Sequence, residues 1–482
     1  WFNYYDFWKL PEAPKGSKPL AKKNGRKKLL LISANRHAIP YPVYPLGVSY
    51  LESYLQDRLT NFDIRVFDMN LYSKEELALF LTEYNPDYTG ISFRNVDDVN
   101  FYSKESFLNG YHEICEIVKS NIHSTLIIGG SAFSIYPEEL FAFFEPDFGI
   151  YGEGEESLYR LLSSIEAGAP DLETEGLVYR RDGKIVVNNR TGYIRSLDLC
   201  FENKLIDYYW AKSGMLNVQT KRGCPYHCIY CTYPLIEGRE VRLRRPGDVV
   251  REIEQLCARG ISSFFVVDNV FNFPPHHAKS ICQEILKRGL KVRWSCYLHP
   301  QFVTESLLSV MKDAGCSSVE FGADAGADDH LRRLGKSFSV AEIRRASELC
   351  HRVGLSFCHS LVFGGPGEDR NTIRATLDLM EEVSPTAIIA MVGIRLFPGT
   401  RLAEIAAPND RISSDEAMLE PTFYLAETVR PYVLDLLREH AAQQPHWILP
   451  GSNVNINLRL QEKLRRFGLK GPLWEHMRVR RK

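Results

Sequence analysis

Residues 221–234 read KRGCPYHCIYCTYP and place Cys224, Cys228 and Cys231 in a C-x3-C-x2-C loop directly after the predicted strand MLNVQTK at 215–221. Thiolates are the usual ligands of iron-sulfur clusters, and a cubane normally takes four. Three leave one iron open to another ligand. The other reading is a zinc site, which needs four closed ligands, with His227 inside the loop as the possible fourth. Zinc ribbons and knuckles generally draw C-x2-C pairs from two separated places, and no second pair lies within reach in this sequence, so the spacing favours a cluster.

Downstream of the loop the strand predicted at 215–221 is the first of a series. FFVVD, VRWSCYL, SSVEFGA, LSFCHSLVF and AIIAMVGIRL follow, each with a plausible helix behind it. About six such units suit a partial βα barrel, placed here at 209–405. After Pro398-Gly399-Thr400 no further strand is predicted, and residues 406–482 read as a helical region ending in the basic RLQEKLRRFGLKGPLWEHMRVRRK.

Upstream, a second alternation runs from Lys28: KLLLIS, LGVSYLESYLQDRL, FDIRVFD, EELALFLTEY, YTGISF, YHEICEIVKS, STLIIGG, PEELFAFF and FGIYG. Strand–helix alternation of this kind predicts a parallel, doubly wound, Rossmann-like sheet over 28–165. In its first helix Leu51, Tyr54, Leu55 and Leu59 share one face by spacings of three and four. Residues 166–208 break the pattern, with EGLVYRRDGKIVVNN predicting a hairpin at Asp182-Gly183, and are assigned as the linker. Residues 1–27, ending in KKNGRKK, form an N-terminal extension.

An open α/β sheet binds its ligand at the carboxyl ends of its strands. Three loops there stand out: PYPVYPLG, IIGGSAFSIYPEE and IYGEGEES. Glycine lets a flat or bulky ligand approach the backbone, although any one of these loops alone reads equally as a tight turn.

A chain of 482 residues fits two domains plus extensions, since single cores stop growing at about 250–300 residues. Its 44% hydrophobic and 25% charged residues are globular values. A net charge of -1 supplies no field for a polyanionic partner, so no nucleic acid is expected. No apolar run reaches about 18 residues, and WFNYYDFWKLPEAPKG lacks the order of a signal peptide; a soluble, cytoplasmic protein is expected. The 11 cysteines are an odd number in a large chain, which suits a reducing compartment. Cys115, Cys257, Cys282 and Cys350 read as buried helix thiols.

The cysteine motif, with Tyr230 before its third cysteine, resembles the radical S-adenosylmethionine (SAM) superfamily. The resemblance implies a [4Fe-4S] cluster on Cys224, Cys228 and Cys231, with SAM chelated on the open iron and split to methionine and a 5′-deoxyadenosyl radical. It places Tyr230 near the adenine. FFVVDNVFN resembles the family's second-strand signature, with Asp268 near SAM. VEFGADAG resembles its ribose-contacting segment, with Asp324 at the acidic position and Ala325 where serine is usual. LVFGGPGED and LFPGT resemble the fifth and sixth strand ends, where Gly365 and Pro366 would admit the cofactor.

The N-terminal loops together resemble the cobalamin-binding domain that precedes many such enzymes, with Pro45, Gly47, Gly129, Gly130, Gly152, Glu153 and Gly154 at its signature positions. The D-x-H-x-x-G motif of other cobalamin proteins is missing. The nearest match is Asn35-x-His37, with Pro40 where glycine is expected, and Asn35 supplies no carboxylate behind the histidine. His37 is weighed as a cobalt ligand against a solvated loop histidine.

The resemblance implies a cobalamin-dependent radical SAM enzyme, foremost a methyltransferase acting on an unactivated carbon through the deoxyadenosyl radical and methylcobalamin. The alternatives are a cyclase or rearrangement enzyme of the same branch and a non-catalytic cobalamin-binding sensor. The expected partners are a small-molecule or lipid-like substrate, the latter hinted at by GLKGPLWEH and LEPTFYL, and an electron donor such as flavodoxin or ferredoxin. No catalytic acid or base is assigned; Tyr297, His299 and His359 lie near predicted strand ends, where core roles compete with catalytic ones.

Overall fold

The computed structural model describes residues 25–194, 205–407, 418–449 and 463–476. Most of the N-terminal extension, Cys200 and the two ends of the basic tail, residues 459–462 and 477–482, lie outside the described residues.

The first sheet contains β1 (Lys27–Ser33), β2 (Phe62–Asp68), β3 (Tyr88–Ser92), β4 (Thr125–Gly129), β5 (Phe148–Ile150), β6 (Leu177–Arg181) and β7 (Lys184–Val187). Its order is β2-β1-β3-β4-β5-β6-β7, with the first five strands parallel. Leu29 to Ile32 of β1 are all buried, as a strand covered by helices on both faces demands. The helix Leu46–Arg58 lays Leu51, Tyr54, Leu55 and Leu59 into one core cluster with β1, the face read from their spacing. Because the order reverses between β1 and β3, the loops leaving these neighbours diverge and open a crevice at their carboxyl ends.

The predicted hairpin turns at Asp182 and Gly183, both at positive φ (50° and 78°), as a two-residue turn between right-twisted strands requires. It does not stand apart as a linker. β6 pairs antiparallel with β5, so the hairpin completes the edge of the first sheet.

The second half contains β8 (Leu216–Val218), β9 (Lys221–Arg222), β10 (Arg242–Leu243), β11 (Ser263–Val266), β12 (Arg293–Leu298), β13 (Cys316–Asp324), β14 (Ser356–Phe363), β15 (Ala387–Val392), β16 (Ile394–Arg395), β17 (Phe423–Tyr424) and β18 (Trp447–Ile448). All six expected barrel strands form, as β8 and β11–β15, in one parallel sheet of order β18-β15-β14-β13-β12-β11-β8. Its end strands are not paired to each other, so the barrel is partial. Alternation sends Trp294, Cys296, Val319, Phe321 and Phe357 outward into the core with the helices, and leaves Ser295, Tyr297, Ser318 and Glu320 on the inner face.

The C-terminal region holds the helix Val433–Gln443 and also two strands absent from the sequence reading. β18 is two residues long and gains its hydrogen-bonding partner only from β15, so no local periodicity announces it. The segment 463–476 then closes the amino-terminal mouth of the barrel. Glu475 accepts from Ser295 Oγ (2.9 Å), Ser317 Oγ (3.1 Å), Ser318 and Arg293, and Trp474 packs against Cys358, Ala387 and Ile448. Cys115, Cys282 and Cys350 are buried and Cys257 is half-buried. Among the described residues no helix is long and apolar enough to cross a membrane.

The two sheets share a continuous core, in which Phe93 and Phe133 of the first unit join Phe363 and Ile388 of the second. A buried ion pair fastens it: Arg395 Nε lies 2.7 Å from Asp97 Oδ2, and Arg395 also donates to the Met418 carbonyl (2.8 Å). Removing one partner of such a pair strands a buried charge, at a cost of about 3–5 kcal/mol. Arg395→Met is therefore expected to lower the urea midpoint markedly, and Asp97→Asn on top of it to restore part of the loss; equal midpoints for R395M and the wild type would contradict this.

Candidate functional site

The cysteine loop is rooted in the barrel by Asp268 at the end of β11. Its carboxylate accepts from the Thr220 amide (2.6 Å), the Thr220 hydroxyl and the Lys221 amide (3.3 Å). Lys221 in turn donates to the carbonyls of Phe271 (2.6 Å) and Phe273 (2.9 Å). β9 then pairs with β10, and the chain turns at Gly223, whose φ of +85° leaves a carbonyl, Glu240 O, where a Cβ would sit. The Cys224 amide donates to Gly238 O (3.1 Å), Ile229 N to Leu334 O (3.1 Å) and Leu402 N to Ile229 O (2.8 Å), so the loop is held from three directions.

Cys224 is buried, while Cys228 and Cys231 border a hollow of about 270 Å3 shared with Leu235, Arg239 and Gly399. Burial raises all three thiols, Cys231 to about 12, and the neighbouring sulfurs add to the rise there. Among the described residues no three His, Cys, Asp or Glu side chains gather around a point that one metal ion could occupy. A cubane asks for something else, one thiolate on each of several irons, and three cysteines spread along one pinned loop fit that demand. The zinc reading needed His227, but its Nδ1 is 3.1 Å from Arg239 Nη1.

The residues expected around SAM divide. The Tyr230 hydroxyl donates to Asp324, and Lys336 reaches both, 2.7 Å from Asp324 Oδ2 and 3.2 Å from the Tyr230 oxygen. Asp324 sits at φ +62° beside a register shift in β13, the left-handed backbone that a non-glycine residue adopts at a cost and that clusters at binding sites. Gly365 and Pro366 lie in the turn after β14. There Glu368 folds back on the Gly364 amide, and the His330 ring fills the space next to Gly365. His330 Nε2 is 3.5 Å from Glu368 Oε1, yet burial lowers the histidine to about 4 and raises the carboxyl to about 8, so the pair is neutral at pH 7. Asp268, by contrast, spends its carboxylate on the root of the cysteine loop.

All seven residues of the expected cobalamin set border one cavity of about 610 Å3 at the carboxyl ends of the first sheet: Pro45, Gly47, Gly129, Gly130, Gly152, Glu153 and Gly154. A Cβ added at Gly47 would meet no protein atom within 4 Å, so the bare backbone there faces open space that a bulky ligand could fill. The far wall comes from the barrel and the cysteine loop, through Thr232, Tyr233, Phe265 and Tyr297. His37 does not border the cavity; its ring packs 5.1 Å from Phe107. Nor do His299, within reach of Ser337 and stacked on Tyr226, or His359, buried 3.0 Å from Ser347 Oγ; both are held in the fabric of the barrel.

A charge network missing from the sequence reading joins the two walls. Glu153 lies 2.6 Å from Arg242 Nη1 and 3.3 Å from Arg222 Nη1, and Arg222 Nη2 is 2.8 Å from Glu155. Burial alone would raise the Glu155 carboxyl, but Arg222 beside it holds it below the ordinary range. The signal was present in the alternation of acidic residues in GEGEES and of arginines around the cysteine loop, but pairing them requires the two sheets to be docked.

Two outcomes test this geometry. Gly335→Ala places a Cβ 2.3 Å from the His227 carbonyl at φ +74°, and is expected to strip most iron and sulfide from anaerobically purified protein; full metal content would contradict it. Glu368 keeps a proton in the folded chain that the unfolded chain has given up, so its own contribution to stability falls as pH rises from about 5 to about 8. Glu368→Gln is expected to flatten that decline and raise Tm near pH 8, whereas parallel Tm profiles would refute the assignment.

The family model of the radical SAM superfamily matches residues 218–380 of the chain. Tryptophan 2-C-methyltransferase of Streptomyces laurentii is 24% identical over 442 residues, spanning 77% of this chain and 74% of the relative. Anaerobic magnesium-protoporphyrin IX monomethyl ester cyclase of Rubrivivax gelatinosus is 26% identical over 361 residues, spanning 71% and 62%. The radical SAM methyltransferase TsrM of Kitasatospora setae, solved with cobalamin and a [4Fe-4S] cluster, superposes with a TM-score of 0.85 at 22% identity, covering 94% of this chain and 97% of that one. The chain thus carries a domain of the radical SAM superfamily behind a Rossmann-like domain, in the arrangement seen in that methyltransferase.

Proposed function

We propose that this protein is a cobalamin-dependent radical SAM enzyme that transfers a methyl group to an unactivated carbon of a small-molecule or lipid-like substrate. The observation that carries the reading is the shared cavity, bordered on one side by the glycine-rich loops of the first sheet and on the other by residues that directly follow Cys231. When bound, the cluster and SAM would supply a reducing electron and a radical, and cobalamin a transferable methyl group. The chain's own part is to hold these groups and keep their reactions aimed.

Cys224, Cys228 and Cys231 would hold the cluster. Tyr230, Asp324, Gly365 and Pro366 would meet SAM, with Lys336 fixing the Tyr230–Asp324 pair. Pro45, Gly47, Gly129, Gly130, Gly152 and Gly154 would cradle cobalamin. Asp268 and Glu153 act one step back: the first anchors the cysteine loop, and the second ties the cobalamin side to Arg222 and Arg242. An electron donor such as flavodoxin or ferredoxin would reach the cluster, and an odd number of cysteines spread through a large chain supports a cytoplasmic setting.

The similarity to the magnesium-protoporphyrin cyclase sustains ring closure as a second reading. Isotope-labelled SAM separates the two. Reconstituted protein with reductant, labelled SAM and candidate acceptors is expected to place the labelled methyl in the product, and the triple variant C224A/C228A/C231A to abolish it. Label recovered only in methionine beside a cyclised product would favour ring closure, and no cleavage of SAM by the wild type would contradict both.

A further inference from the structure

The turn between the helices Asp328–Arg333 and Val340–Val353 runs alongside the cysteine loop. Ile229 N donates to the Leu334 carbonyl (3.1 Å), and Gly335 packs so closely that a Cβ there would meet the His227 carbonyl at 2.3 Å. Lys336 Nζ then reaches the Tyr230 hydroxyl at 3.2 Å. Three consecutive residues thus follow the loop from His227 to Tyr230, past Cys228. The Lys336 side chain is 7% exposed and its ammonium lies 2.7 Å from Asp324 Oδ2, whose side chain is 4% exposed. Charges buried this deeply are screened far less than charges at the surface.

The charges that act on the three sulfurs do not cancel evenly. Lys336 acts on both Cys228 and Cys231, and at Cys228 it outweighs the opposing Asp324 carboxylate. Cys224 feels a different pair, Glu237 and Arg239. One electron added to a cluster on these cysteines makes the assembly more negative by one charge, and net charge together with the groups facing the sulfurs governs how readily that happens. A buried cation beside two of the three thiolates lowers the cost of the extra charge.

We propose that Lys336 sets the reduction potential of the cluster, its ammonium favouring the reduced form while Asp324 holds the ammonium in place and limits its effect. The step itself is a bare electron transfer: the external donor is oxidised by one electron, the cluster is reduced by one, and no bond or proton changes hands. Lys336 thereby governs how strong a donor the enzyme needs, a role separate from its hydrogen bond to Tyr230. This role rests on the reading that Cys224, Cys228 and Cys231 hold a cluster.

Redox titration of anaerobic, cluster-loaded protein without SAM, followed by electron paramagnetic resonance, reads the midpoint potential and needs no turnover. Lys336→Met is expected to lower the ratio of reduced to oxidised cluster about tenfold at a fixed potential, equivalent to a midpoint about 59 mV lower for one electron. Asp324→Asn is expected to move the midpoint upward, and K336M/D324N to fall between the wild type and K336M. A loosened loop that merely admits water would shift both single variants in the same direction. A wild-type midpoint in K336M, or single variants that move together, would overturn the assignment. Should K336M lose its iron and sulfide, D324N decides alone, since an unchanged or lowered midpoint there contradicts the proposal. A fully reduced wild type without any paramagnetic cluster signal would instead remove the cluster reading, and the role of Lys336 with it.

Discussion

Two acidic residues of the first sheet, Glu153 and Glu155, meet two arginines that flank the cysteine loop, Arg222 and Arg242, in a buried network. The rest of the site depends on it. Arg222 and Arg242 are opposite one another in the β9–β10 ribbon, which would bring like charges together without the carboxylates between them. Taking four charges out of water is costly unless each finds its partner, and the partners meet only when the sheets dock in one arrangement. The network therefore acts less as a source of stability than as a register pin, setting the cysteine loop opposite the glycine-lined crevice.

Around that pin the two halves divide the work by topology. In the first sheet the reversal of strand order between β1 and β3 opens the crevice, and glycine at position 47 keeps its wall bare. In the second, six strands bring Tyr230, Asp324 and Lys336 together from three separate stretches of chain, with Asp324 in a conformation that the surrounding bonds must sustain. The C-terminal segment closes the other end, with Glu475 satisfied by serines and an arginine and Trp474 reaching through to Glu320. Ligand space is thus bounded by both sheets and the cysteine loop.

Much of this was legible in the sequence. The six barrel strands, the five parallel strands of the first sheet and the turn at Asp182-Gly183 follow from periodicity and turn chemistry, which are local. The cysteines follow from spacing, the three glycine-rich loops from their place at strand ends, and the seven cavity-lining positions within them from the resemblance to the cobalamin-binding domain. What escaped is non-local. The hairpin's membership of the first sheet is decided by β5, β18 exists only because β15 offers an edge, and the partners of Glu153, Arg395 and Glu320 lie tens to hundreds of residues away. Asp268 shows the converse, since its position at a strand end is equally that of a ligand contact and of a strap. The alternation of Ser295 and Tyr297 in β12, and of Ser318 and Glu320 in β13, with apolar neighbours was a readable cue to an inner face.

The central claim is that the cysteine loop and the glycine-lined loops serve one reaction space. Electron paramagnetic resonance on protein holding a reduced [4Fe-4S] cluster and Co(II) cobalamin tests it directly. Two paramagnets facing one cavity should broaden or split each other's signals, and Arg222→Met, by freeing the pin, should weaken that coupling. Spectra that add as independent centres in the wild type would contradict the account.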